Sequence, residues 1–433
     1  MTGVPAVAAA PGAGGASGAP AARLLPPIPE LDACVHCGLC LNQCPTYRVT
    51  RLEAESPRGR IALVEAVSQG RLPLDQGVAG HLYLCLMCRA CETACPSGVQ
   101  YGRIAEAVRG VLGPPGPPLA RALVRLALRH LMPFPGRLRV AAAAIGALQR
   151  SGLVRALERV LPPALRRRLA LLPAPSPRAY EPPAEVLPAL GERRARVGFL
   201  AGCAMSLFFA EVNEATVRVL RRNGCEVVVP RGQVCCGALN SHNGELASAR
   251  AMAQANLDAF PEDVDAVVTN AAGCGAAMKE YGHLLAGTPD AGRAARFAAR
   301  VRDAAEFLAA LGLRTTPARA PQTVTYQDPC HLAHGQRVRA QPRALLGAIP
   351  GLVLVEMVAA DRCCGSAGIY NVLQPEMAEA LLREKMDAIR ATGAPVVVAP
   401  NPGCMLQLRY GARRFGVPVQ VRHLMDVLDD AGA

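Results

Sequence analysis

Two groups of cysteines near the start of the chain share one spacing. The first reads Cys34-x2-Cys37-x2-Cys40-x3-Cys44-Pro45, and the second reads Cys85-x2-Cys88-x2-Cys91-x3-Cys95-Pro96. Three thiolates within seven residues can wrap one face of a four-iron, four-sulfur cube, while the intervening backbone N–H groups point at its sulfides. The spacing therefore predicts two 4Fe-4S clusters, whose chemistry is electron transfer.

The proline after the fourth cysteine of each group predicts how the two sites share their ligands. It turns that thiol away from its own group, as in two-cluster ferredoxins, where the fourth cysteine ligates the other cluster. The predicted ligands are Cys34, Cys37, Cys40 and Cys95 for the first cluster and Cys85, Cys88, Cys91 and Cys44 for the second. Structural zinc is the alternative, since four thiolates also suit it. Zinc ribbons use two Cys-x2-Cys knuckles per metal, so the spacing favours iron–sulfur clusters.

A different cysteine pattern occurs twice in the second half of the chain. Each copy has a first cysteine, an adjacent pair followed by glycine, and a last cysteine, and the copies are offset by 127, 128 and 130 residues at these landmarks. The two sets are Cys203, Cys235, Cys236, Cys274 and Cys330, Cys363, Cys364, Cys404. Because a disulfide between adjacent cysteines is strained, such pairs are better explained as metal ligands or redox groups. Small core cysteines are the alternative.

Three residues near these cysteines have more than one interpretation. His331 and His334 follow Cys330 closely, so they could gate protons or ligate a metal, and a solvated or core position explains them equally well. Cys225 lies outside both sets and precedes an apolar run at residues 227–229, so we expect an ordinary core residue.

The hydrophobic pattern predicts the elements that position these cysteines. Short apolar runs typical of strands precede the first and last landmarks of each copy, and a helix-period stretch lies between them at residues 245–260 and again at 376–389. Alternating strands and helices predict two duplicated α/β units with mainly parallel sheets. In the first region, Ser56 and Pro57 are typical of a helix start, which predicts a helical cluster domain. The predicted segments are a disordered leader at 1–27, the cluster domain at 28–110, a connector at 111–190, and the two units at 191–318 and 319–433.

Composition narrows the class of protein. The chain has 433 residues, of which 51% are hydrophobic, so several cores can form without disulfides. Seventeen cysteines form an odd count, which argues against a fully paired secreted framework. No uncharged apolar stretch reaches 18 residues, and the leader lacks a charged start, so neither a spanning helix nor a signal peptide is expected. We expect a reducing cytoplasm, with the chain peripheral to the inner membrane.

Most of the net charge of +13 lies in the connector. Residues 111–178 contain twelve arginines and one acidic residue, and prolines divide them into short amphipathic pieces. Basic amphipathic helices bind anionic lipid surfaces or acidic partner faces. A solvated face is the alternative, and nucleic acid is not expected because the segment lacks interleaved aromatic residues and a known binding fold.

The Cys-Cys-Gly duplication resembles that of heterodisulfide reductase-type proteins, in which this domain is associated with an iron–sulfur cluster. The pattern of that family ends each repeat in Cys-x-x-Cys. This chain departs from it, since Ala277 and Gln407 occupy the last position. The resemblance thus leaves open whether either unit holds iron or performs thiol–disulfide chemistry.

A resemblance over nearly the whole chain points to the family of glycolate oxidase (glycolate dehydrogenase) iron–sulfur subunits. It is carried by the order of the cysteine motifs and by five stretches, which are 34–38, 56–61, 95–99, 273–282 and 328–332. The resemblance implies a relay from FAD on a partner subunit, where glycolate becomes glyoxylate, to a membrane quinone. Subunits of lactate-utilisation and anaerobic glycerol-3-phosphate dehydrogenase complexes share the layout.

The motifs that the sequence lacks agree with a relay. It contains no Gly-x-Gly-x-x-Gly fingerprint, Walker loop or Gly-x-Ser-x-Gly elbow, so no catalytic residue is assigned to this chain. Two other classes remain as alternatives: an enzyme of the heterodisulfide type, and a structural or nucleic-acid-binding module with the clusters as staples.

Overall fold

A computed structural model describes residues 25, 27–114, 117–314 and 322–433. The predicted leader at 1–27 falls outside the described residues except at positions 25 and 27. The predicted boundary at 318/319 also lies outside them.

The N-terminal part is helical, as predicted. Ser56 accepts a hydrogen bond from the backbone N–H of Gly59 at 2.9 Å, and Pro57 is the first residue of the second helix. Apolar residues from this helix and two others, including Ile61, Leu82 and Ile104, form one buried core. The helices are α1 (Pro45–Thr50), α2 (Pro57–Ser68), α3 (Gln76–Tyr83), α4 (Ala90–Thr93) and α5 (Tyr101–Leu112).

Four helices follow in the connector. Prolines divide them at two of the three breaks, as the sequence predicts, and Gly152, with φ of 76°, separates the second helix from the third. Three of the four helices begin with proline, which has no N–H to leave unpaired and whose φ already suits a helix. They are α6 (Pro118–His130), α7 (Pro135–Arg150), α8 (Leu153–Val160) and α9 (Pro163–Leu169). Arg129 of α6 pairs with the buried Glu245 at 2.5 Å, and Arg167 of α9 pairs with Glu379 at 3.4 Å. The connector therefore bridges the two units that follow.

The first unit is a five-stranded sheet covered by helices. Its strands are β1 (Val186–Leu187), β2 (Ala195–Leu200), β3 (Cys225–Val228), β4 (Ala266–Thr269) and β5 (Val301–Asp303). Their order is β1-β3-β2-β4-β5, and only β1 is antiparallel to its neighbour. Its helices are α10 (Cys203–Phe208), α11 (Ala210–Arg222), α12 (Ala238–His242), α13 (Leu246–Ala259), α14 (Ala272–Lys279), α15 (Tyr281–Leu284), α16 (Ala291–Arg300) and α17 (Ala304–Leu311).

The second unit repeats this topology, which confirms the predicted duplication. Its strands are β6 (Gln322–Tyr326), β7 (Leu352–Leu354), β8 (Val396–Val398) and β9 (Gln420–Arg422), all parallel in the order β7-β6-β8-β9. This order matches β3-β2-β4-β5. Its helices are α18 (Ala340–Gly347), α19 (Tyr370–Leu373), α20 (Pro375–Thr392), α21 (Pro402–Phe415) and α22 (Leu424–Asp430).

The two units share one large core. It draws apolar residues from both sheets, including Phe199 of β2 and Val397 of β8. Cys225 lies in this core and is fully buried, which confirms its predicted position. The units also contact each other at the carboxyl ends of their strands, where the Gly273 N–H donates to Asn401 Oδ1 at 3.2 Å. None of the described helices is both long and apolar enough to cross a membrane.

Candidate functional site

The two N-terminal cysteine loops adopt the same unusual backbone conformation. The second and fourth residues after the first cysteine are left-handed in both loops: His36 and Gly38 have φ of 52° and 82°, and Met87 and Arg89 have φ of 55° and 62°. Left-handed residues other than glycine cost energy and persist where the surroundings demand them. Alternating right- and left-handed residues turn backbone N–H groups into a concave nest, which suits an anionic Fe–S cluster.

Thiols of the first loop surround a small cavity. The residues that line it include Cys34, Cys37, Cys40 and, from the second loop, Cys91 and Cys95. Burial raises the pKa of Cys34, and the charges of Cys95 and Cys37 raise it further. Burial also raises the pKa of Cys40 to about 11. Thiolates here need a compensating cation, and iron would supply one.

The second loop lies deeper. Cys44, Cys88 and Cys91 are buried, whereas Cys37 of the first loop is exposed. Burial holds the pKa of Cys88 and of Cys91 well above the usual range, and the charge of Cys44 contributes in both cases. Cys44 thus lies near the second group although it belongs to the first run in sequence.

A buried arginine lies directly beneath Cys44. Arg60 is 1% exposed, and its Nη2 donates to Glu55 Oε2 at 2.7 Å. It also donates to the backbone oxygens of Glu55 and His81 at 2.7 Å, and its Nη1 lies 3.9 Å from Cys44 Sγ. The sequence placed Arg60 in a recognisable motif but not in this role. A charged residue on the apolar face of α2 was the available signal.

Thiolates on one zinc ion lie roughly 3.8 Å apart, given Zn–S bonds near 2.3 Å. Pairs of thiols in the second half of the chain approach this spacing, as Cys203 Sγ and Cys235 Sγ do at 3.5 Å. In the part of the chain that the structure describes, no group of three or more His, Cys, Asp or Glu side chains could hold one ion.

In both Cys-Cys-Gly units the structure brings the four cysteines together at the carboxyl ends of the parallel strands. In the first unit, Cys203 Sγ lies 3.5 Å from Cys235 Sγ, and hydrogen bonding continues through Cys236 to Cys274. The second unit has the same chain of contacts. It runs through Cys330, Cys363, Cys364 and Cys404.

Two features of the structure, the backbone angle and a close neighbour, require glycine after each cysteine pair. Gly237 and Gly365 have φ of 81° and 86°, in the left-handed region. A Cβ on Gly365 would lie 2.5 Å from the carbonyl oxygen of Ala378, and one on Gly237 would lie 3.3 Å from that of Ala249. Glycine therefore lets the following long helix approach the thiol pair.

The units differ in what the long helix places under the thiol pair. Seven residues beyond the contacting alanine, α20 carries Lys385 and α13 carries Asn256. Asn256 Nδ2 donates to the Cys235 carbonyl at 3.2 Å. Lys385 is 3% exposed, and its Nζ donates to the carbonyls of residues 359 and 360 at 2.9 and 3.0 Å. Lys385 was missed from sequence, although it is one of only two lysines in the chain.

The ionisation of Cys364 reflects this difference. Hydrogen bonds from Cys363 and Cys404 hold the pKa of Cys364 well below its usual range, and the charge of Lys385 contributes. In the first unit the hydrogen bond with Cys235 and burial raise the pKa of Cys203; the pKa of Cys236 is lowered by Cys235 but raised more by the hydrogen bond with Cys274 and by burial. The pKa values of Cys363 and Cys404 are also raised, so Cys364 is the thiol of the second unit that favours negative charge.

The second unit packs directly on the deeper cluster loop. Cys88 and Cys363 belong to one buried cluster that also contains Leu86 and Tyr370. Tyr370 OH donates to the carbonyl of Leu84 at 2.9 Å. After burial, the charge of Cys330 is the largest contribution that raises the pKa of Cys88.

The two histidines that follow Cys330 lie inside the protein, where His331 is partly buried and His334 is buried. His331 Nε2 lies 2.8 Å from the carbonyl oxygen of Met87, and its ring centroid lies 5.1 Å from that of His242. Burial lowers the pKa of His331 to about 3 and also lowers that of His334, so both are neutral near pH 7. Of the interpretations left open, the structure favours the core one.

The positions of the absent final cysteines are filled by packed side chains. Ala277 packs against the core of the first unit. Gln407 is 2% exposed and accepts a hydrogen bond from Asn371 at 2.9 Å.

Comparisons with known proteins agree with this architecture. A family model described as a 4Fe-4S dicluster domain matches residues 30–99, and one described as a cysteine-rich domain matches residues 197–279 and 324–409. The chain is 43% identical to the probable glycolate oxidase iron-sulfur subunit of Bacillus subtilis, with 93% of this chain and 94% of that protein covered. It is 33% identical to the glycolate oxidase iron-sulfur subunit of Escherichia coli, with 95% and 96% covered. Lactate utilization protein A of Geobacillus thermodenitrificans is 32% identical over 54% of this chain and 98% of its own length.

Proposed function

The chain belongs to the family of glycolate oxidase iron–sulfur subunits, and we propose that it carries electrons from a flavin-containing partner, which oxidises glycolate, towards a quinone acceptor. The observation that carries this proposal is the pair of matching left-handed cysteine loops, one at the surface and one in the interior. FAD is expected on the partner, because this sequence has no flavin fingerprint. When bound, 4Fe-4S clusters transfer single electrons.

The ligand sets are part of the proposal. Cys34, Cys37, Cys40 and Cys95 would hold the first cluster, and Cys85, Cys88, Cys91 and Cys44 would hold the second. Two electrostatic effects support this exchange of the fourth ligand. The charge of Cys95 raises the pKa of Cys34, and the charge of Cys44 raises the pKa of Cys88 and of Cys91.

The depth of the two loops supports a direction of transfer. The first loop exposes Cys37 together with Val35 and Leu39, which are 68% and 61% exposed. A surface loop of this kind suits electron exchange with a partner flavin. The second loop adjoins Cys330 and Cys363, so the second Cys-Cys-Gly unit is the next station if its thiols hold a further iron–sulfur centre.

The connector suits a peripheral contact with an anionic membrane. Leu119, Leu123 and Leu126 form an exposed stripe at helical spacing on α6, with exposures of 72%, 57% and 57%. Basic side chains border this stripe, as in helices that lie on lipid surfaces. Vesicles with anionic lipid should sediment the chain more strongly than neutral vesicles, and Leu123→Gln with Leu126→Gln should remove most of the difference. Equal sedimentation with both vesicle types would contradict the membrane contact.

The test of the main proposal uses the complex purified anaerobically with its flavin partner. Glycolate should reduce the clusters, and the reduced clusters should be visible by EPR. The two clusters of the N-terminal cysteine loops should account for about eight irons. Cys37→Ser should remove one cluster signal, whereas Cys225→Ala, which changes a core cysteine, should leave both. Lactate in place of glycolate distinguishes the related complexes. A complex with full iron content and no glycolate-dependent signal would refute the proposal.

A further inference from the structure

A large cavity lies between the connector and the first Cys-Cys-Gly unit. Its volume is about 420 Å³, enough for the head group of an organic ligand, since such pockets usually measure roughly 300–1,000 Å³. The wall from the connector includes Leu138 and Arg139 of α7. The opposite wall includes Cys203 and Cys235, so two thiols of the first unit face the same space.

The rest of the lining combines apolar walls with two unpaired donors. Leu207, Val229 and Val234 supply apolar surface. Tyr180 is 6% exposed, and its hydroxyl has no hydrogen-bond partner among the described residues. Arg231 is exposed at the rim and forms no ion pair or hydrogen bond with any residue that the structure describes. An unpaired buried hydroxyl is costly, and a ligand that accepts its hydrogen bond would remove that cost.

The first unit also contacts the cluster domain on its other side. Cys236 lines a second, smaller pocket together with Met87, the neighbour of Cys88, and with His331. The four thiols of this unit therefore lie between the deeper cluster loop and the large cavity. On the outside, Val140, which follows the wall residue Arg139 on α7, is 71% exposed.

We propose that this cavity binds the head group of a quinone, with Tyr180 and Arg231 as hydrogen-bond donors to its carbonyl oxygens and Cys203 and Cys235 beside the ring. A quinone has a flat apolar ring, carbonyl acceptors and a lipid tail. The apolar walls match the ring, the two donors match the carbonyl oxygens, and the tail can leave through the open mouth of the cavity. Burial raises the pKa of Tyr180, so the phenol keeps the proton that it donates.

This proposal rests on the proposed function, in which the partner flavin supplies the electrons. Reduction of one quinone to its quinol takes two electrons, delivered one at a time from the clusters of this chain and ultimately from the partner flavin. It also takes two protons from water, which reach the cavity through its open mouth. No bond between the quinone and the protein forms.

The experiment compares two electron acceptors with the complex of this chain and its flavin partner. With glycolate as donor, initial rates are measured with decylubiquinone and with ferricyanide. Tyr180→Phe and Arg231→Gln should each raise the KM for decylubiquinone roughly five-fold, as expected for one lost hydrogen bond. Leu138→Trp should fill the cavity and abolish quinone reduction. Ferricyanide rates should stay unchanged, and the control Arg193→Gln, an exposed arginine outside the cavity, should match the wild type with both acceptors.

A binding measurement that needs no turnover completes the test. A photoreactive azidoquinone should label a peptide of the cavity wall, within residues 135–139, 180–182 or 201–235, and excess decylubiquinone should prevent the labelling. Unchanged KM values in all three variants, or labelling elsewhere, would overturn the cavity assignment. Continued reduction of ferricyanide by these variants would show that the electron relay itself still works. A wild-type complex that reduces neither acceptor with glycolate would instead refute the proposed function itself.

Discussion

Replacement of Arg60 by methionine should destabilise the cluster domain strongly. The substitution keeps much of the side-chain volume but leaves the carboxylate of Glu55, which is 7% exposed, without its buried partner. It also removes the side-chain donor to the backbone oxygen of His81 and one of the donors to that of Glu55, which still accepts from Thr46 Oγ1 at 2.6 Å. Breaking a buried ion pair by removing one partner costs about 3–5 kcal/mol. The exposed pair of Arg390 and Asp387, with side chains 50% and 60% exposed, contributes only about 0–1 kcal/mol.

The assay is an anaerobic urea titration of reconstituted protein, followed by far-UV circular dichroism. The shift in the urea midpoint, multiplied by the slope of the unfolding free energy against urea concentration, gives the change in the free energy of unfolding. Arg60→Met should lose about 3–5 kcal/mol, and Arg390→Met should lose less than about 1 kcal/mol. Adding Glu55→Gln to Arg60→Met should restore part of the loss, because the unpaired charge is its main cause.

The pH dependence of the same variant gives an independent check. His81 Nδ1 lies 2.6 Å from Glu55 Oε1, and this hydrogen bond raises the pKa of His81, whereas the charge of Arg60 lowers it. A histidine with a raised pKa contributes stability that is present at low pH and lost as pH rises through that pKa. Without Arg60 this contribution grows, so Arg60→Met should be less destabilised at pH 6 than at pH 8. A loss no larger than that of Arg390→Met, or no recovery in the double variant, would refute the reasoning.

Three other substitutions test the units and their contacts. Lys385→Met removes a charged donor from the carbonyls of residues 359 and 360, which also accept from the backbone N–H groups of Arg362 and Asp328, so it should cost about 1.5–3 kcal/mol in unfolding free energy. In a redox titration it should also lower the potential of any centre in the second unit, and an unchanged potential would contradict that role. Burial raises the pKa of Asp303 from 3.8 to about 7, so the free energy of unfolding falls as pH rises across that range. Asp303→Asn keeps a good helix cap and should flatten the pH profile of urea midpoints between those values. Gly244→Ala would place a Cβ 2.2 Å from the carbonyl oxygen of Arg109, where α5 meets the first unit, whereas a Cβ at the control position Gly70 would meet no atom within 4 Å. Both glycines have positive φ, so both substitutions carry the same backbone cost. A larger loss of stability at Gly244 therefore measures the contact, and equal losses would contradict it.

The sequence predicted the fold to the extent that local signals determine it. The offset between cysteine landmarks predicted the duplication, and both sheets have the same strand order. The proline positions predicted two of the three breaks between connector helices, and the third, at Gly152, was not predicted. Ser56 and Pro57 predicted the start of α2. Each of these signals acts within a few residues of chain, or as a repeat, so no tertiary contact was needed to find it.

The rest of the candidate site depends on contacts between segments far apart in sequence. Arg60 is one of 45 arginines, and nothing in its neighbours shows that it meets Glu55 and Cys44 in the interior. Tyr180 lies in the connector, and its place beside thiols of the first unit follows from how α7 packs on that unit. Lys385 is the exception, since a rare lysine in an arginine-rich chain, on the apolar face of a long helix, could have been noticed.

The two copies of the duplicated unit have kept one topology and acquired different surroundings. The second unit carries a buried ammonium under its thiol pair and is sealed against the deeper cluster loop. The first unit has the neutral Asn256 at the matching position and opens onto a cavity. A buried positive charge favours negative charge on the thiols, and a sealed face excludes any substrate. On these grounds the second unit suits the proposed internal electron station and the first suits the proposed quinone site. Exchanging Lys385 and Asn256 between the units should therefore disturb internal transfer without giving the second unit a cavity of this kind.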